Sequence, residues 1–153
     1  METKLLKGNQ QPPMELLLTA DPSEQLVKEY LDRGQCYTAE IENHTAGVYV
    51  LLETSDDTIE LINIAVDEQY QGSGIGKALV KDAIQKAADM GYKKIEVGTG
   101  NSSIGQLALY QKCGFRISDI DKDFFVRNYD EDIFENGIHC RDMIRLSQIL
   151  KGD

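Results

Sequence analysis

A glycine-rich turn between an apolar strand and an amphipathic helix constrains the fold of this 153-residue chain more than any other feature. The apolar run 59–66 leads to the turn at 71–77, and a helical pattern begins at Ile75. Glycine reaches the positive φ values of a tight turn and has no Cβ to keep an anion away. The first N–H groups of the helix would point at the anion, and Lys77 adds a positive charge. The order strand, glycine turn and helix therefore predicts a phosphate-binding site.

The common phosphate-binding motifs do not fit this turn. The dinucleotide fingerprint, aligned on Gly72, requires a glycine where the chain has Lys77, and the kinase glycine loop fails at the same position. The P-loop requires a glycine at Gln71 and a hydroxyl at Ala78. A turn that only joins a strand to a helix, without binding a ligand, is the alternative interpretation.

The first half of the chain predicts short elements with polar connections. A strand over 3–7 precedes a short helix from Met14, and the helix-start signal at 21–23 begins a helix that Gly34 ends. Three strands follow, over 36–41, 47–52 and 58–66. Because their connections are short, we expect these three strands to form an antiparallel meander.

The second half predicts helices alternating with strands. Apolar residues at helical spacing predict a long helix from Ile75, which Gly91 ends. The remaining elements are predicted as a strand at 94–99, a helix at 104–112 and strands at 115–125 and 138–147 around an acidic loop. We therefore expect a single α/β (α+β) domain over residues 1–153. Its mixed sheet would have about seven strands, antiparallel in the first half, with about four flanking helices.

Charge and composition limit the possible partners. The formal charge of −10 argues against a binder of nucleic acid or anionic membranes, because both need a basic face. It suits a cationic substrate, although acidity also serves solubility alone. No apolar run reaches the roughly 18 residues of a membrane span, and the first residues contain no apolar signal segment. Cys36, Cys113 and Cys140 lack metal or redox spacing, so we expect a cytoplasmic protein with reduced thiols and no metal.

Two motifs together resemble the GNAT superfamily of N-acetyltransferases. The first is Gln/Arg-x-x-Gly-x-Gly/Ala, and the second combines an asparagine, a Leu-Tyr pair and a Gly-Phe pair at the family's spacing. The matching residues are Gln71, Gly74, Gly76, Asn101, Leu109, Tyr110, Gly114 and Phe115. The resemblance covers residues 5–150 and includes the order of the predicted elements. It implies the GNAT fold, splayed at the acyl-CoA site, with acetyl-CoA as cosubstrate and an amine as acceptor.

The resemblance also implies a set of cofactor contacts. Backbone N–H groups would hold the CoA pyrophosphate at Gln71, Gly72, Ser73, Gly74, Ile75, Gly76 and Lys77. The backbone of Ile64, Ala65 and Val66 would pair with the pantetheine arm, since in the family this strand is bulged and splays from the next one. A freed N–H there would polarise the thioester carbonyl. Asn101 would contact the pantetheine or the strand edge.

Glu60 and Tyr110 are the predicted catalytic residues. An alkylamine has a pKa of about 10 and must lose a proton before it attacks. Glu60 lies where some GNAT members place a catalytic glutamate, and strand alternation would put it on the face of Ile62 and Ile64. A solvated glutamate, with a water chain as base, is the alternative. Tyr110 would donate a hydrogen bond to the departing sulfur, or only pack its helix on the sheet.

Acceptor selection is expected from the first two helices and from the loop that joins the last strands. The acidic residues of this loop are Asp119, Asp121, Asp123, Asp130, Glu131, Asp132 and Glu135. They would steer a cationic amine, or form only a solvated loop. His139 is interpreted as structural.

We expect direct acetyl transfer to a small cationic amine. Acetylation of a protein N-terminus or lysine is one alternative, and a non-catalytic acyl-CoA-binding module is another. Many relatives are dimers, so a homodimer is also open.

Overall fold

The computed structural model describes residues 1–150, which form nine strands and five α-helices. In chain order they are β1 (Thr3–Leu5), α1 (Met14–Ala20), α2 (Glu24–Arg33), β2 (Gln35–Ile41), β3 (His44–Ser55), β4 (Thr58–Val66), α3 (Ile75–Asp89), β5 (Lys94–Gly100), α4 (Ile104–Lys112), β6 (Arg116–Asp121), α5 (Phe124–Asn128), β7 (Ile133–Glu135), β8 (Ile138–Cys140) and β9 (Met143–Ile149). A 3₁₀ turn, Glu68–Tyr70, lies between β4 and α3. Among the described helices, none combines the length and the apolar character needed to cross a bilayer.

Seven of the strands form one mixed sheet in the order β1-β2-β3-β4-β5-β9-β6, and β7 and β8 form a separate hairpin. The strands β1 to β4 pair antiparallel, β4 and β5 pair in parallel, and β5, β9 and β6 are antiparallel again. Parallel neighbours need a long crossover, which α3 supplies between β4 and β5. The predicted mixed sheet with an antiparallel first half is confirmed.

The main core lies between the sheet and α3. This helix buries Leu79, Val80 and Ala83 at helical spacing, in a cluster with Tyr49 and Leu61 of the sheet. Full burial of a leucine side chain contributes roughly 1.5–3 kcal/mol. The packing therefore fixes α3, and the glycine turn at its start, against β4.

The helices α1 and α2 cover the other face of β3 and β4. Leu17 and Val27 are fully buried there in a cluster with Val48 and Val50. Ser23 caps α2, since its Oγ accepts a hydrogen bond from the N–H of residue 26 at 3.2 Å. The first two helices therefore stand beside β4, the strand with the predicted cofactor contacts.

The last third of the chain differs from the sequence prediction. The strand predicted over 115–125 is shorter, because its last two residues belong to α5. The strand predicted over 138–147 is divided into β8 and β9, which belong to different sheets. Asp123 has a left-handed φ of 62°, and its N–H donates to Asp142 Oδ1 at 2.9 Å. A contact between segments distant in sequence thus turns the chain here, and strand periodicity carries no signal for it.

Candidate active site

A gap opens in the sheet where β4 and β5 separate. Their parallel pairing covers residues 58–61 and 94–97 and stops there, although both strands continue. A bulge at Ile62 accompanies the separation, because Leu61 and Asn63 pair with adjacent residues of β3. Bulges bend a strand and interrupt its ladder. In the described part of the chain, β4 beyond the bulge has no strand partner on its β5 side, and the predicted splay is confirmed.

An open cleft of about 260 Å³ adjoins this gap. Its wall combines the end of β4, the turn before α3 and one side of α4. The lining residues are Ile64, Ala65, Val66, Tyr70, Gln71, Gly72, Gly76, Gln106 and Leu109. Six of these residues were predicted as cofactor contacts, namely Ile64, Ala65, Val66, Gln71, Gly72 and Gly76. The structure therefore brings the β4 set and three of the seven glycine-turn residues together in one cleft.

The glycine turn presents open backbone at the start of α3. Gly72 and Gly74 have φ values of 82° and 86°, and a Cβ added at either would meet nothing within 4 Å. Glycine is thus required here by backbone conformation. Gly74 is the N-cap of α3, where no side chain caps the helix, and Ile75 packs inward at the edge of the core. The first N–H groups of α3 are available to an anion, which fits the pyrophosphate of CoA.

Two side chains stabilise the glycine turn. Gln71 Nε2 donates to the Val66 carbonyl at 3.1 Å, and Ser73 Oγ donates to the Tyr70 carbonyl. The first hydrogen bond holds the turn against the end of β4, and the second connects it to the preceding 3₁₀ turn. Lys77, in the first turn of α3, is exposed and does not line the cleft, so its contact with a phosphate stays a prediction.

Asn101 follows β5 and holds the segment before β9. Its Oδ1 accepts the N–H groups of Arg141 and Asp142 at 2.8 and 2.9 Å, and its Nδ2 donates to the His139 carbonyl at 3.1 Å. Both ends of the amide are therefore engaged outside the cleft. This geometry favours the strand edge over the pantetheine as the partner of Asn101, and a contact with the cofactor stays a prediction.

Tyr110 lies on α4 inside the main core. It is 4% exposed, and its ring packs edge-on against Phe115 with the centroids 5.9 Å apart. Burial, with a smaller contribution from Cys113, raises the pKa of the Tyr110 hydroxyl. The hydroxyl therefore stays protonated near neutral pH and can donate a hydrogen bond. Its neighbour Leu109 lines the cleft, while the catalytic role of Tyr110 stays a prediction.

Glu60 forms an ion pair with an arginine of β9. Arg145 Nη1 lies 3.2 Å from Glu60 Oε2, and the two side chains are 25% and 15% exposed. Arg145 Nη2 also lies 4.0 Å from Glu96, the residue that pairs with Glu60 across β4 and β5. Glu60, the predicted base, is therefore fixed by an ion pair and mostly buried, and it is not a freely solvated side chain.

The predicted face of Glu60 is wrong in one respect. Strand alternation placed Glu60, Ile62 and Ile64 together. Ile62 packs beneath α1 and α2, whereas Ile64 packs beneath α3 on the other face of the sheet. Leu52 of β3 pairs directly with Glu60, and Leu52 also packs beneath α1 and α2. The extra residue of the bulge shifts the alternation by one. Glu60 therefore lies on the α1–α2 side of β4, opposite the cleft.

Four side chains that the sequence did not identify meet beside the gap, and we call them the Asp21 network. Asp21 accepts hydrogen bonds from the Tyr30 hydroxyl at 3.2 Å and the Tyr129 hydroxyl at 2.8 Å. Asn63, at the bulge, donates through Nδ2 to the Tyr30 hydroxyl at 2.7 Å. Asp21 gave only a helix-start signal, and nothing in the sequence connects it with Tyr129, which lies 108 residues further on.

Two carboxylates of the acidic loop are paired with arginines. Asp121 pairs with Arg127 at 2.8 Å, and Asp123 pairs with Arg141 at 3.0 Å. Exposed pairs of this kind contribute little to stability, but they reduce the charge that is left to steer a ligand. For these two carboxylates the solvated-loop interpretation fits better.

His139 and two of the cysteines lie outside the cleft. His139 stacks on Phe134 in the β7–β8 hairpin, with the centroids 4.8 Å apart, as a structural residue would. Cys36 and Cys140 are buried free thiols, and burial raises the pKa of Cys36 to about 11. Within residues 1–150, no group of three or more His, Cys, Asp or Glu side chains is placed to hold a metal ion.

The sequence matches the profile described as acetyltransferase (GNAT) family over residues 5–115. It is 65% identical over 132 residues to YvbK of Bacillus subtilis, described as an uncharacterized N-acetyltransferase. That match covers 86% of this chain and 85% of the relative. The chain belongs to the GNAT family of acetyltransferases.

Two solved structures resemble the whole chain. An acetyltransferase from Bacillus subtilis in complex with CoA is 59% identical, with a TM-score of 0.93 over 97% of this chain and 98% of that one. A GNAT family acetyltransferase from Elizabethkingia anophelis with acetyl-CoA bound is 50% identical, with a TM-score of 0.96 over 97% of each chain. The predicted GNAT fold is confirmed, and so is the predicted class of enzyme, an acetyl-CoA-dependent N-acetyltransferase.

Proposed function

We propose that this enzyme moves an acetyl group directly to the primary amine of a small cationic acceptor, with acetyl-CoA and the acceptor bound at the same time. The gap between β4 and β5 carries this proposal. The cleft and the glycine turn lie on its α3 side, and Glu60 and the Asp21 network lie on its α1–α2 side. Two reactants that approach one gap from opposite faces can react without a covalent enzyme intermediate.

On the cofactor side the chain contributes mainly backbone. The N–H groups of residues 71–77 would bind the pyrophosphate, and the unpaired edge of β4 at Ile64, Ala65 and Val66 would pair with the pantetheine. Acetyl-CoA bound there supplies a thioester, whose carbonyl carbon accepts the amine and whose sulfur leaves as a thiolate. An N–H of β4 would stabilise the negative charge that develops on the carbonyl oxygen. Loss of one such donor in other enzymes costs about a hundredfold or more in kcat.

On the acceptor side we assign the proton transfer to Glu60, acting through a water molecule. In the described residues the hydrogen bond from Arg145 engages only Oε2 of Glu60, so Oε1 can accept from water. The amine, with an ordinary pKa of about 10, would pass its proton through this water as it attacks. Tyr110, kept neutral by burial, would donate a hydrogen bond to the departing sulfur.

An acceptor screen tests the proposal. Acetyl-CoA is supplied with monoamines, polyamines, aminoglycosides, peptides with free N-termini and lysine peptides. CoA release is followed with a thiol-reactive dye, and products are identified by mass spectrometry. We expect a small cationic amine to exceed the peptides by about tenfold or more in kcat/KM. Preferential transfer to peptides would contradict the small-molecule acceptor, and binding of acetyl-CoA without any transfer would indicate an acyl-CoA-binding module.

A further inference from the structure

We infer that Asp21 binds a second, non-reacting ammonium group of the acceptor, so that the enzyme prefers diamines to monoamines. This inference rests on the proposed amine acetylation and narrows its substrate class. An amine that attacks must be neutral, whereas a carboxylate favours the charged form of an amine beside it. Asp21 is therefore suited to the amine that does not react.

The negative charge of Asp21 has no cationic partner in the structure. Its two oxygens accept hydrogen bonds from the Ser23 N–H at 3.1 Å and from the Tyr30 and Tyr129 hydroxyls. All three donors are neutral, and within residues 1–150 no Lys, Arg or His side chain forms a salt bridge with Asp21. Burial, and then the charge of Asp21, raises the pKa of Tyr129. Only neutral donors bind this half-buried carboxylate. An ammonium group that binds there would therefore add a charge-assisted hydrogen bond.

Two tyrosines contact this carboxylate through their hydroxyl groups. Tyr129 stacks on Phe125 with the centroids 5.7 Å apart, and Tyr30 is 5% exposed on α2. Aromatic faces attract ammonium groups and also pack against methylene chains. The surroundings of Asp21 therefore suit a cation carried on an aliphatic chain.

The Asp21 network, together with Phe125, spans the gap from one strand to the other. On the β4 side it ends at Asn63, next to the residues of the cleft. On the β5 side, a Cβ built on Gly100 would lie 3.6 Å from the Phe125 ring, against which Tyr129 stacks. An ammonium bound at Asp21 would consequently stand over the acceptor-side mouth of the gap.

Asn63 supplies an independent indication of a ligand at the inner end of the network. It is 3% exposed, and its Nδ2 donates to the Leu17 carbonyl and the Tyr30 hydroxyl. Its Oδ1 is buried and has no hydrogen-bond partner among the described residues. Buried polar atoms are normally paired, so an orphaned acceptor indicates a missing donor. Because Oδ1 is covered, an N–H of the reacting amine would supply this donor after a local shift of the side chains around it.

The two amine-binding groups lie a short distance apart. Asn63 Nδ2 reaches the Tyr30 hydroxyl at 2.7 Å, and this hydroxyl reaches Asp21 Oδ2 at 3.2 Å. A short aliphatic chain can therefore join a reacting amine at Asn63 to an ammonium at Asp21. Putrescine has this form, and n-butylamine is the matched monoamine of the same carbon number.

The experiment compares putrescine with n-butylamine in the wild-type enzyme and in Asp21→Asn. We expect the wild type to prefer putrescine by about tenfold or more in kcat/KM. Asp21→Asn should raise the KM for putrescine about thirtyfold, with kcat within about threefold, and change the KM for n-butylamine far less. Asp56→Asn is the control. It removes the same charge from an exposed residue in the turn between β3 and β4, and should leave both amines as in the wild type.

A binding measurement separates this inference from the proposed function. Calorimetric titration of putrescine into the CoA-loaded protein should show binding in the wild type and in Asp56→Asn, and its loss in Asp21→Asn. If no amine is acetylated, the proposed function fails, but this titration still decides the role of Asp21.

Equal kcat/KM for the two amines in the wild type would overturn the inference, as would a loss of kcat for both amines in Asp21→Asn at unchanged KM. If Asp21→Asn does not fold, Asp21→Glu replaces it, because this variant retains the charge and should still bind putrescine. Equal kcat/KM for putrescine and n-butylamine in Asp21→Glu would also overturn the inference.

Discussion

The proposed cofactor side and the proposed acceptor side of the gap are built in different ways. The cofactor side consists of backbone from the end of β4 and a turn only a few residues later, placed by the packing of α3. The acceptor side consists of side chains from four separate segments, and the Asp21–Tyr129 hydrogen bond joins residues 108 positions apart. Backbone recognition resists most substitutions except those that alter conformation or add charge. Side-chain recognition changes with a single residue, so single substitutions should separate the two sides.

Gly74→Asp should give the largest effect, on the cofactor side alone. The new carboxylate would stand at the start of α3, where the pyrophosphate is expected, and acetyl-CoA should bind about a hundredfold more weakly. Calorimetric titration of acetyl-CoA measures the change. Gly91→Asp is the matched control, since Gly91 also has a positive φ, 90°, and open space, but lies at the other end of α3. Equal weakening by both variants would disprove a phosphate site at the turn.

Glu60→Gln should lower kcat by about thirtyfold with little effect on acetyl-CoA affinity, because the variant keeps the shape of the side chain but cannot accept the proton. The pH–rate profile should lose its acidic limb. Glu40→Gln, on an exposed position of β2, should behave as the wild type. A Glu60→Gln profile identical to that of the wild type would leave a water chain as the base.

Tyr110→Phe should lower kcat by about tenfold, because one hydrogen bond to the departing sulfur is lost. The affinity for acetyl-CoA should change little. Tyr92→Phe, which removes a hydroxyl bonded to Glu53 at 2.6 Å on the surface, is the control. Turnover of Tyr110→Phe at the wild-type rate would reduce Tyr110 to a packing residue of α4.

Asp82→Asn should change stability and leave both sides of the gap functional. Burial opposes ionisation of Asp82, but hydrogen bonds from Tyr49, Thr3 and Lys86 lower its pKa below the ordinary value. The pKa of Asp82 is lower in the folded protein than in the unfolded chain, where it is about 3.9. The carboxylate therefore stabilises the fold above about pH 3.9, and this contribution is lost as the pH falls through the pKa of the folded state. Urea unfolding should therefore show the wild type more stable than the variant at neutral pH, with the difference shrinking in acid. A constant difference at all pH values would contradict this assignment.

The cofactor side could be predicted from the sequence because its signals are local. Gly72 and Gly74 have the positive φ values that their type and spacing predicted, and the strand before them ends at Val66 as expected. The pattern of apolar residues also located α3 and the meander. In each case the residues that determine the structure are close in sequence, so pattern and propensity suffice.

On the proposed acceptor side, the sequence predicted Glu60 and the contributing segments but not the contacts between them, because these join distant parts of the chain. The bulge at Ile62 adds one residue to β4 and reverses the alternation that placed Glu60 with Ile64. The helix α5, and with it Tyr129, was predicted as strand and acidic loop, since the contact of Asp123 with Asp142 has no sequence signal. Local rules therefore fail where tertiary contacts decide the conformation.

The most direct test of two separately built sides is a crossed comparison of Gly74→Asp and Asp21→Asn. The dissociation constant of acetyl-CoA and the KM for putrescine are measured for each variant and for the wild type. We expect Gly74→Asp to weaken acetyl-CoA alone and Asp21→Asn to raise the KM for putrescine alone. If either variant changes both constants by similar factors, the two sides are not independent and the account is contradicted.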